Sequence, residues 1–294
     1  MRVTKTQRAL VVSTGKNSAW ISVDGESGLR IAQLRRMAGE RFMPVPGDVA
    51  NVRMLEDGQA VVERIEPRGF TLERRSAGGR AKTMAANVDL LVTVTALANP
   101  PPRLVTLDQL IAFAEIENVA AAVIFTKPDL GDPAEEEQLA NLYRGLGYPT
   151  LVINPKAGEI AALRELIGAH HALLVGNSGV GKSTIFRALG GDATVADVSR
   201  FGLGRQTTTA GRLYRLESGF LIDSPGINEF GLGRIDATTL APAFREMPEF
   251  ARDCRFTDCT HLQEPDCAVR AAVEGGTIAP SRYASYRKML LEPT

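Results

Sequence analysis

Apolar and polar positions change rhythm twice along this chain. Through the first 75 residues, short β-prone runs alternate with turn residues. The runs are Arg8–Val12, Ala19–Val23, Asp48–Arg53 and Ala60–Ile65. The breaks between them are Thr14-Gly15-Lys16-Asn17, Asp24-Gly25, Pro46-Gly47-Asp48 and Glu56-Asp57-Gly58. Apolar runs this short, bounded by Gly, Asn, Asp and Pro, predict strands joined by tight turns. About five such strands in roughly seventy residues suit a small barrel of the OB type, an architecture common among RNA-binding modules. Ser76-Ala77-Gly78-Gly79-Arg80 then has the composition of a flexible linker.

From Asn87 the rhythm becomes strand, helix, strand, helix. Val88–Val94, Ala121–Thr126, Thr150–Ile153, Ala172–Val175 and Phe220–Ile222 are continuous apolar runs, the pattern of strands covered on both faces. Between them, Leu107–Ile116 repeats apolar residues at helical spacing, with Leu107, Leu110, Ile111 and Ala114 on one face. Ala134–Leu146, acidic in its first turn, Glu159–Ile167 and Ile185–Leu189 are further helices. This alternation predicts a mostly parallel sheet with helices on both sides. After residue 236 the pattern becomes mostly helical, and Tyr283–Leu291 is helical in spacing, with Tyr283, Tyr286, Arg287 and Leu290 available for packing or contact. The expected organisation is therefore multidomain: an all-β OB-type barrel over 1–82, an α/β domain over 83–236 and a small helical domain over 237–294.

Chemistry concentrates in the middle domain. Gly176-Asn177-Ser178-Gly179-Val180-Gly181-Lys182-Ser183-Thr184 follows a strand and opens a helix with the spacing of a P-loop. Glycines let successive N–H groups turn inward around a polyphosphate, and the helix adds its positive end. Lys182 supplies charge to the β- and γ-phosphates, and the Ser183 hydroxyl is a Mg²⁺ ligand. Thr126-Lys127-Pro128-Asp129 stands at a strand end, where the Asp129 carboxylate is placed to accept from the N1–H and exocyclic amine of guanine. Adenine lacks that donor pair, which favours GTP over ATP, and the Lys127 stem can cover the base. Asp223-Ser224-Pro225-Gly226 follows another strand; Asp223 there holds Mg²⁺ and the Gly226 N–H senses the γ-phosphate, unless the stretch is only a turn. Gly204-Arg205-Gln206-Thr207-Thr208-Thr209 is a candidate switch, in which one threonine, Thr208 or Thr209 foremost, completes the Mg²⁺ shell. The alternative is a polar surface loop. The base-reading stretch precedes the P-loop, whereas most GTPases have the reverse order, so the domain is circularly permuted.

All 3 cysteines and one of the 3 histidines fall in the pattern C-x₄-C-x-H-x₅-C: Cys254, Cys259, His261 and Cys267. Three thiolates and an imidazole make a closed, structural zinc site; ordinary thiols of a reduced protein are the alternative. A domain of this size commonly relies on a metal for stability. Arg252, Arg255 and Arg270 bring positive charge to the same region, which suits docking on RNA, while a lid on the switch region is the plainer reading. His170 and His171 are packing or surface residues.

Charge refines the picture. The whole chain is neutral, yet residues 1–82 hold 15 Lys and Arg against 9 Asp and Glu. Arg35, Arg36 and Arg41 form one cluster, and Arg64, Arg68, Arg74, Arg75, Arg80 and Lys82 another. A phosphate-contacting surface and a solvated basic face both fit. No apolar run is long enough to span a membrane, and Met1–Lys5 lacks a signal-peptide core, so a cytoplasmic location is expected.

Together these stretches resemble the ribosome small-subunit-dependent GTPase A family. The resemblance rests on Ala85-Ala86-Asn87-Val88-Asp89, Thr126–Asp129, Gly176–Thr184, Gly204–Thr209, Asp223–Gly226 and the cysteine cluster, in that order. It implies an OB-fold, a permuted GTPase domain and a zinc domain. It also implies binding to the small ribosomal subunit and its rRNA; separately, no membrane or DNA partner is expected, and a monomer is the default expectation that the sequence does not decide. GTP hydrolysis to GDP would be stimulated by that subunit during late maturation. Two residues depart from the family pattern. Thr126 replaces the usual Asn, whose paired amide contacts a threonine cannot make, and Gln206 replaces a usual His. Gln206 is able to orient a water through its amide, a role some GTPases give to a Gln after Asp-x-x-Gly, where this chain has Ile227. No arginine finger is evident, which predicts slow turnover alone and faster turnover when the subunit orders residues 197–211. The alternative is an RNA-binding scaffold that uses GTP as a conformational latch with negligible hydrolysis.

Overall fold

A computed structural model of the chain describes residues 6–34, 43–55, 59–75, 81–189, 212–216, 219–223 and 235–292. Strands β1 (Thr6–Thr14), β2 (Ser18–Val23), β3 (Arg30–Leu34), β4 (Val49–Met54) and β5 (Ala60–Ile65) close a barrel in the order β1-β2-β3-β5-β4. Side chains alternate across a strand, and β1 uses both faces. Ala9 and Val11 fill the barrel with Ile21, Val52 and Val62. Leu10 and Val12 point the other way, into the core of the next domain. Burial on both sides explains the unbroken apolar run. The sequence pattern does not show β3, a short strand in which only Ala32 is buried and Ile31 is exposed.

A two-stranded hairpin follows, β6 (Thr71–Arg75) against β7 (Ala81–Ala86). Residues 76–80, linker-like by composition, lie outside the described residues between strands that pair with each other. The chain then turns at Asn87 with a left-handed φ of 54°. The Asn87 amide donates to Gly47 O at 3.0 Å, and its carbonyl accepts from Gly69 N at 2.9 Å. Gly47 is obligatory here: at φ 86°, a Cβ would lie 1.8 Å from Ala86 O. Next to it, fully buried Asp48 accepts from Arg68 at 2.7 and 2.9 Å. Arg68, partly exposed, therefore helps fasten the barrel through this buried carboxylate.

The central sheet has the order β10-β9-β8-β11-β13-β12, formed by β8 (Leu90–Ala96), β9 (Ala120–Thr126), β10 (Thr150–Ile153), β11 (His171–Val175), β12 (Arg212–Arg215) and β13 (Phe220–Asp223). All neighbours are parallel except β12, which runs antiparallel to β13 at the edge. Helices α1 (Leu104–Ile116) and α2 (Pro133–Gly145) cover one face, over Leu91, Val123, Phe125 and Leu173. Helices α3 (Ala161–Ile167) and α4 (Lys182–Ala188) cover the other, over Val92, Val94, Ile124 and Leu174. Arg215 of β12 donates to Ser22 Oγ at 2.9 Å and Ser22 O at 3.2 Å, tying this edge to the barrel. At the far end of the strands His171 stacks on Phe220, while His170 is a surface residue that meets Asp89.

Helices α5 (Ala237–Leu240), α6 (Met247–Ala251), α7 (Ala268–Glu274) and α8 (Pro280–Leu291) form the last unit around Phe244, Met247, Val269, Ile278 and Tyr286. It sits on the face of α1 that the apolar spacing leaves open. There Asp108, 0% exposed, meets Arg282, 1% exposed, at 2.6 Å. Glu246 takes the remaining side of the guanidinium at 2.7 and 3.1 Å, and Phe244 lies under it. Tyr143 of α2 donates to the same Asp108 oxygen at 2.8 Å.

Candidate nucleotide site and metal centre

The P-loop residues lie where the strand ends and α4 begins. Gly176 has φ 146°, and a Cβ there would come 2.2 Å from Val94 O on the neighbouring strand. Gly179 and Gly181 also have left-handed φ, at 81° and 105°. The loop therefore requires glycine to turn its amides inward while pressed against β8. Lys182, largely buried, lies across it and donates to Gly176 O at 2.5 Å and Asn177 O at 2.8 Å. An ammonium has three donors, so these bonds leave one N–H for a ligand. Burial pulls the Lys182 pKa down, and the nearby Asp223 carboxylate pulls it back up. Ser183 is exposed and Thr184 half-buried at the first turn of α4. Asp223 is buried at the end of β13, in register with Leu174 of β11.

The Thr126–Asp129 stretch arrives from the adjacent strand β9. Thr126 is 1% exposed, and its hydroxyl donates to Val180 O in the middle of the P-loop at 2.5 Å. The loop and the base-reading segment are thus joined side chain to backbone. Lys127 has φ 62°, and its ammonium donates to Asn99 O. After Pro128, Asp129 is exposed, and its Oδ1 accepts from Asn154 Nδ2 at 3.1 Å. Asn154 stands at the end of β10 and caps the turn Pro155–Ala157. Asn99 and Asn154 carry no motif of their own; only their position one strand from Thr126 marks them. Parallel strands thus deliver all these groups to their carboxyl ends, where open α/β sheets bind ligands. Gln206, Thr208, Thr209 and Gly226, with the rest of Gly204–Thr209 and Ser224–Gly226, lie outside the described residues.

The four metal-ligand candidates converge in the last unit. Their ligand atoms all lie within 4.8 Å of one another. His261 Nδ1 is 3.6 Å from Cys254 Sγ and 3.5 Å from Cys267 Sγ, and those sulfurs are 3.9 Å apart. A tetrahedral zinc ion with bonds of about 2.3 Å to sulfur and 2.0 Å to nitrogen needs edges of roughly 3.5–3.8 Å. The donor set fits that ion. Burial pushes the Cys259 thiol up to about 12 and raises Cys267 as well, so the thiolates need a cation to form. Burial lowers the His261 pKa, which favours the neutral imidazole that binds metal. His261 has φ 60°, and its carbonyl accepts from Tyr283 at 2.6 Å. Glu264 braces the loop: it also accepts from Leu262 N, and, despite burial, bonds from Thr260 and Gln263 hold its pKa down to about 2. Arg255 is paired with Asp266, and Arg270 donates to Glu264 O, so two of the three local arginines have intramolecular partners.

Comparison with known proteins places these features together. The RsgA GTPase family profile matches residues 65–233. The small ribosomal subunit biogenesis GTPase RsgA of Pseudomonas aeruginosa is 40% identical over 287 residues, covering 94% of this chain and 84% of that protein. The protein of the same name from Actinobacillus succinogenes is 38% identical over 244 residues, covering 80% and 70%. The crystal structure of YjeQ from Thermotoga maritima superposes with a TM-score of 0.71 at 28% identity, covering 99% of this chain and 100% of that one. YloQ, described as a circularly permuted GTPase, shares the fold at TM-score 0.68 and 22% identity, covering 99% and 96%.

Proposed function

This chain belongs to the RsgA GTPase family, and from that premise we propose that it hydrolyses GTP to GDP and phosphate on the small ribosomal subunit, assisting the subunit's late maturation. The observation that carries the reading is the Thr126–Val180 bond. It joins a guanine-reading strand end to a phosphate-binding loop, an arrangement suited to one nucleotide lying across both. Amides of Gly176–Thr184 hold the phosphates, and Lys182 moves from the loop carbonyls to the β- and γ-oxygens. Asp129, oriented by Asn154, accepts from the guanine edge. Lys127 covers the base, and Thr126 holds the two loops in register.

Ser183 and Asp223, with one of the switch threonines Thr208 and Thr209, would hold Mg²⁺, which supplies charge neutralisation at the phosphates. Gly226 N–H reports the γ-phosphate. Gln206 orients the attacking water through its amide; unchanged subunit-stimulated turnover in Gln206→Ala removes it from that role. Cys254, Cys259, His261 and Cys267 would hold one structural zinc ion and keep the last unit rigid for docking on the subunit and its rRNA. Among the described residues no helix is long and apolar enough to cross a membrane, and the protein acts in the cytoplasm as a monomer.

Base specificity tests the site. Labelled GDP should be displaced by GTP and not by ATP. In Asp129→Asn, which offers the base an amide in place of a carboxylate, GTP should lose its advantage and XTP should gain. Equal competition by ATP in the wild-type protein sinks the assignment of Asp129.

A further inference from the structure

One cavity plays no part in the sites described so far. It has a volume of about 770 Å³ and opens between α2, the end of the guanine-reading turn and the start of α8. Leu139, Leu142 and Pro280 contribute apolar surface, and Asp132, Glu135 and Glu136 contribute carboxylates. No lysine or arginine among the described residues lines it. Two cations adjoin lining residues in sequence: Arg103, which follows Pro102 and is exposed but is not part of the lining, and Arg282, which follows Ser281 and is turned into the core against Asp108 and Glu246.

Glu136 is the informative residue. It is only 8% exposed, and its Oε1 is buried without a hydrogen-bond partner. Burial raises its pKa, and the charges of Asp132 and Asp129 raise it further. A carboxylate held this way costs stability unless a cation reaches it. Gly131 makes room for it, since a Cβ there would lie 2.4 Å from Glu136 Oε1.

We propose that this cavity is a docking site for a basic segment of a protein of the small ribosomal subunit, with an arginine or lysine directed at Glu136 and a neighbouring apolar side chain on Leu139, Leu142 and Pro280. The proposal rests on the reading that this chain works on that subunit. The subunit presents both RNA and protein, and charge separates them. Three carboxylates repel phosphates and attract a cation, while the apolar floor suits a side chain beside it. Because α2 and α8 both line the cavity, one segment would touch the GTPase unit and the metal-binding unit together.

The test places the photo-crosslinker p-benzoylphenylalanine at Gln138, an exposed lining position, in the full chain. Purified small subunits and a non-hydrolysable GTP analogue are added, and co-sedimentation is measured on the same samples. The expected result is a crosslink to a subunit protein, within a few residues of an Arg or Lys, identified by mass spectrometry. Glu135→Lys, an exposed substitution that leaves the core alone, should reduce that crosslink by about fivefold or more, and Glu136→Gln should weaken it as well. Co-sedimentation with crosslinks only to rRNA, only to a second copy of this chain, or to nothing overturns the proposal and leaves the functional reading standing. Failure to co-sediment overturns both.

Discussion

Thr126→Val isolates the bond on which the nucleotide site depends. Valine matches threonine in shape but removes the donor that reaches Val180 O at 2.5 Å. Thr95 O, at 3.4 Å from the same hydroxyl, is a weaker second acceptor. Val180 is 3% exposed, so water cannot easily replace the lost donor. Leaving a buried acceptor unpaired costs about 1–3 kcal/mol. Gly176 is pressed against β8 and α4 is packed in the core, so relaxation concentrates in residues 177–181, the stretch proposed to hold the phosphates. Carried entirely by the site, the loss weakens GDP binding about 5- to 150-fold; carried by folding, it lowers the melting midpoint. Fluorescent GDP titration and thermal unfolding on the same preparation read both. Thr126→Asn, the usual residue of the family, keeps a donor near Val180 O and should bind at least as tightly as the wild type. If Thr126→Val left affinity within about twofold and the midpoint unchanged, the claim that this hydroxyl joins the two loops would fail.

Three further outcomes are expected. Gly176→Ala should abolish measurable nucleotide binding in isothermal titration while the protein stays folded by circular dichroism, because the methyl group collides with Val94 O; retained binding contradicts the loop geometry. Arg282→Met should cost about 3–5 kcal/mol in urea unfolding by stranding Asp108 and Glu246. Adding Asp108→Asn to it should recover part of the loss, and no recovery would mean the cost is packing instead of charge. Purified protein should contain one zinc ion per chain by elemental analysis. Cys267→Ser or a strong chelator should remove it and release hydrogen-exchange protection in 247–292 before the barrel is affected.

What could be read from the chain beforehand divides along a physical line. The P-loop, the turn proposed to read guanine and the cysteine cluster are legible because the chemistry proposed for them demands fixed residue types at short spacing. Asp129 needs a carboxylate and Gly176 needs to lack a Cβ, whatever surrounds them. The strands of the central sheet are legible because burial on both faces leaves continuous apolar runs. Strand β3 and the β6–β7 hairpin escape that signal because polar residues stand among their few apolar ones; β3 is completed by pairing with β5, distant in the chain, as well as with β2. Asn154 escapes for a related reason, since its contact with Asp129 exists only because β9 and β10 are neighbours. The Asp108–Arg282–Glu246 cluster is the clearest case. Asp108 looks like a polar break on an amphipathic helix until α8, far along the chain, covers that face. Arg68 is counted by composition in a basic cluster, and nothing in the sequence signals that its partly exposed guanidinium is paired with buried Asp48.

The most direct test of the account is phosphate release from GTP, with and without purified small ribosomal subunits, beside a Lys182→Ala control. The account predicts slow release alone, strong stimulation by the subunits and loss of that stimulation in the control. Tight GTP binding with no stimulated release would contradict it and leave a nucleotide-latched scaffold in its place.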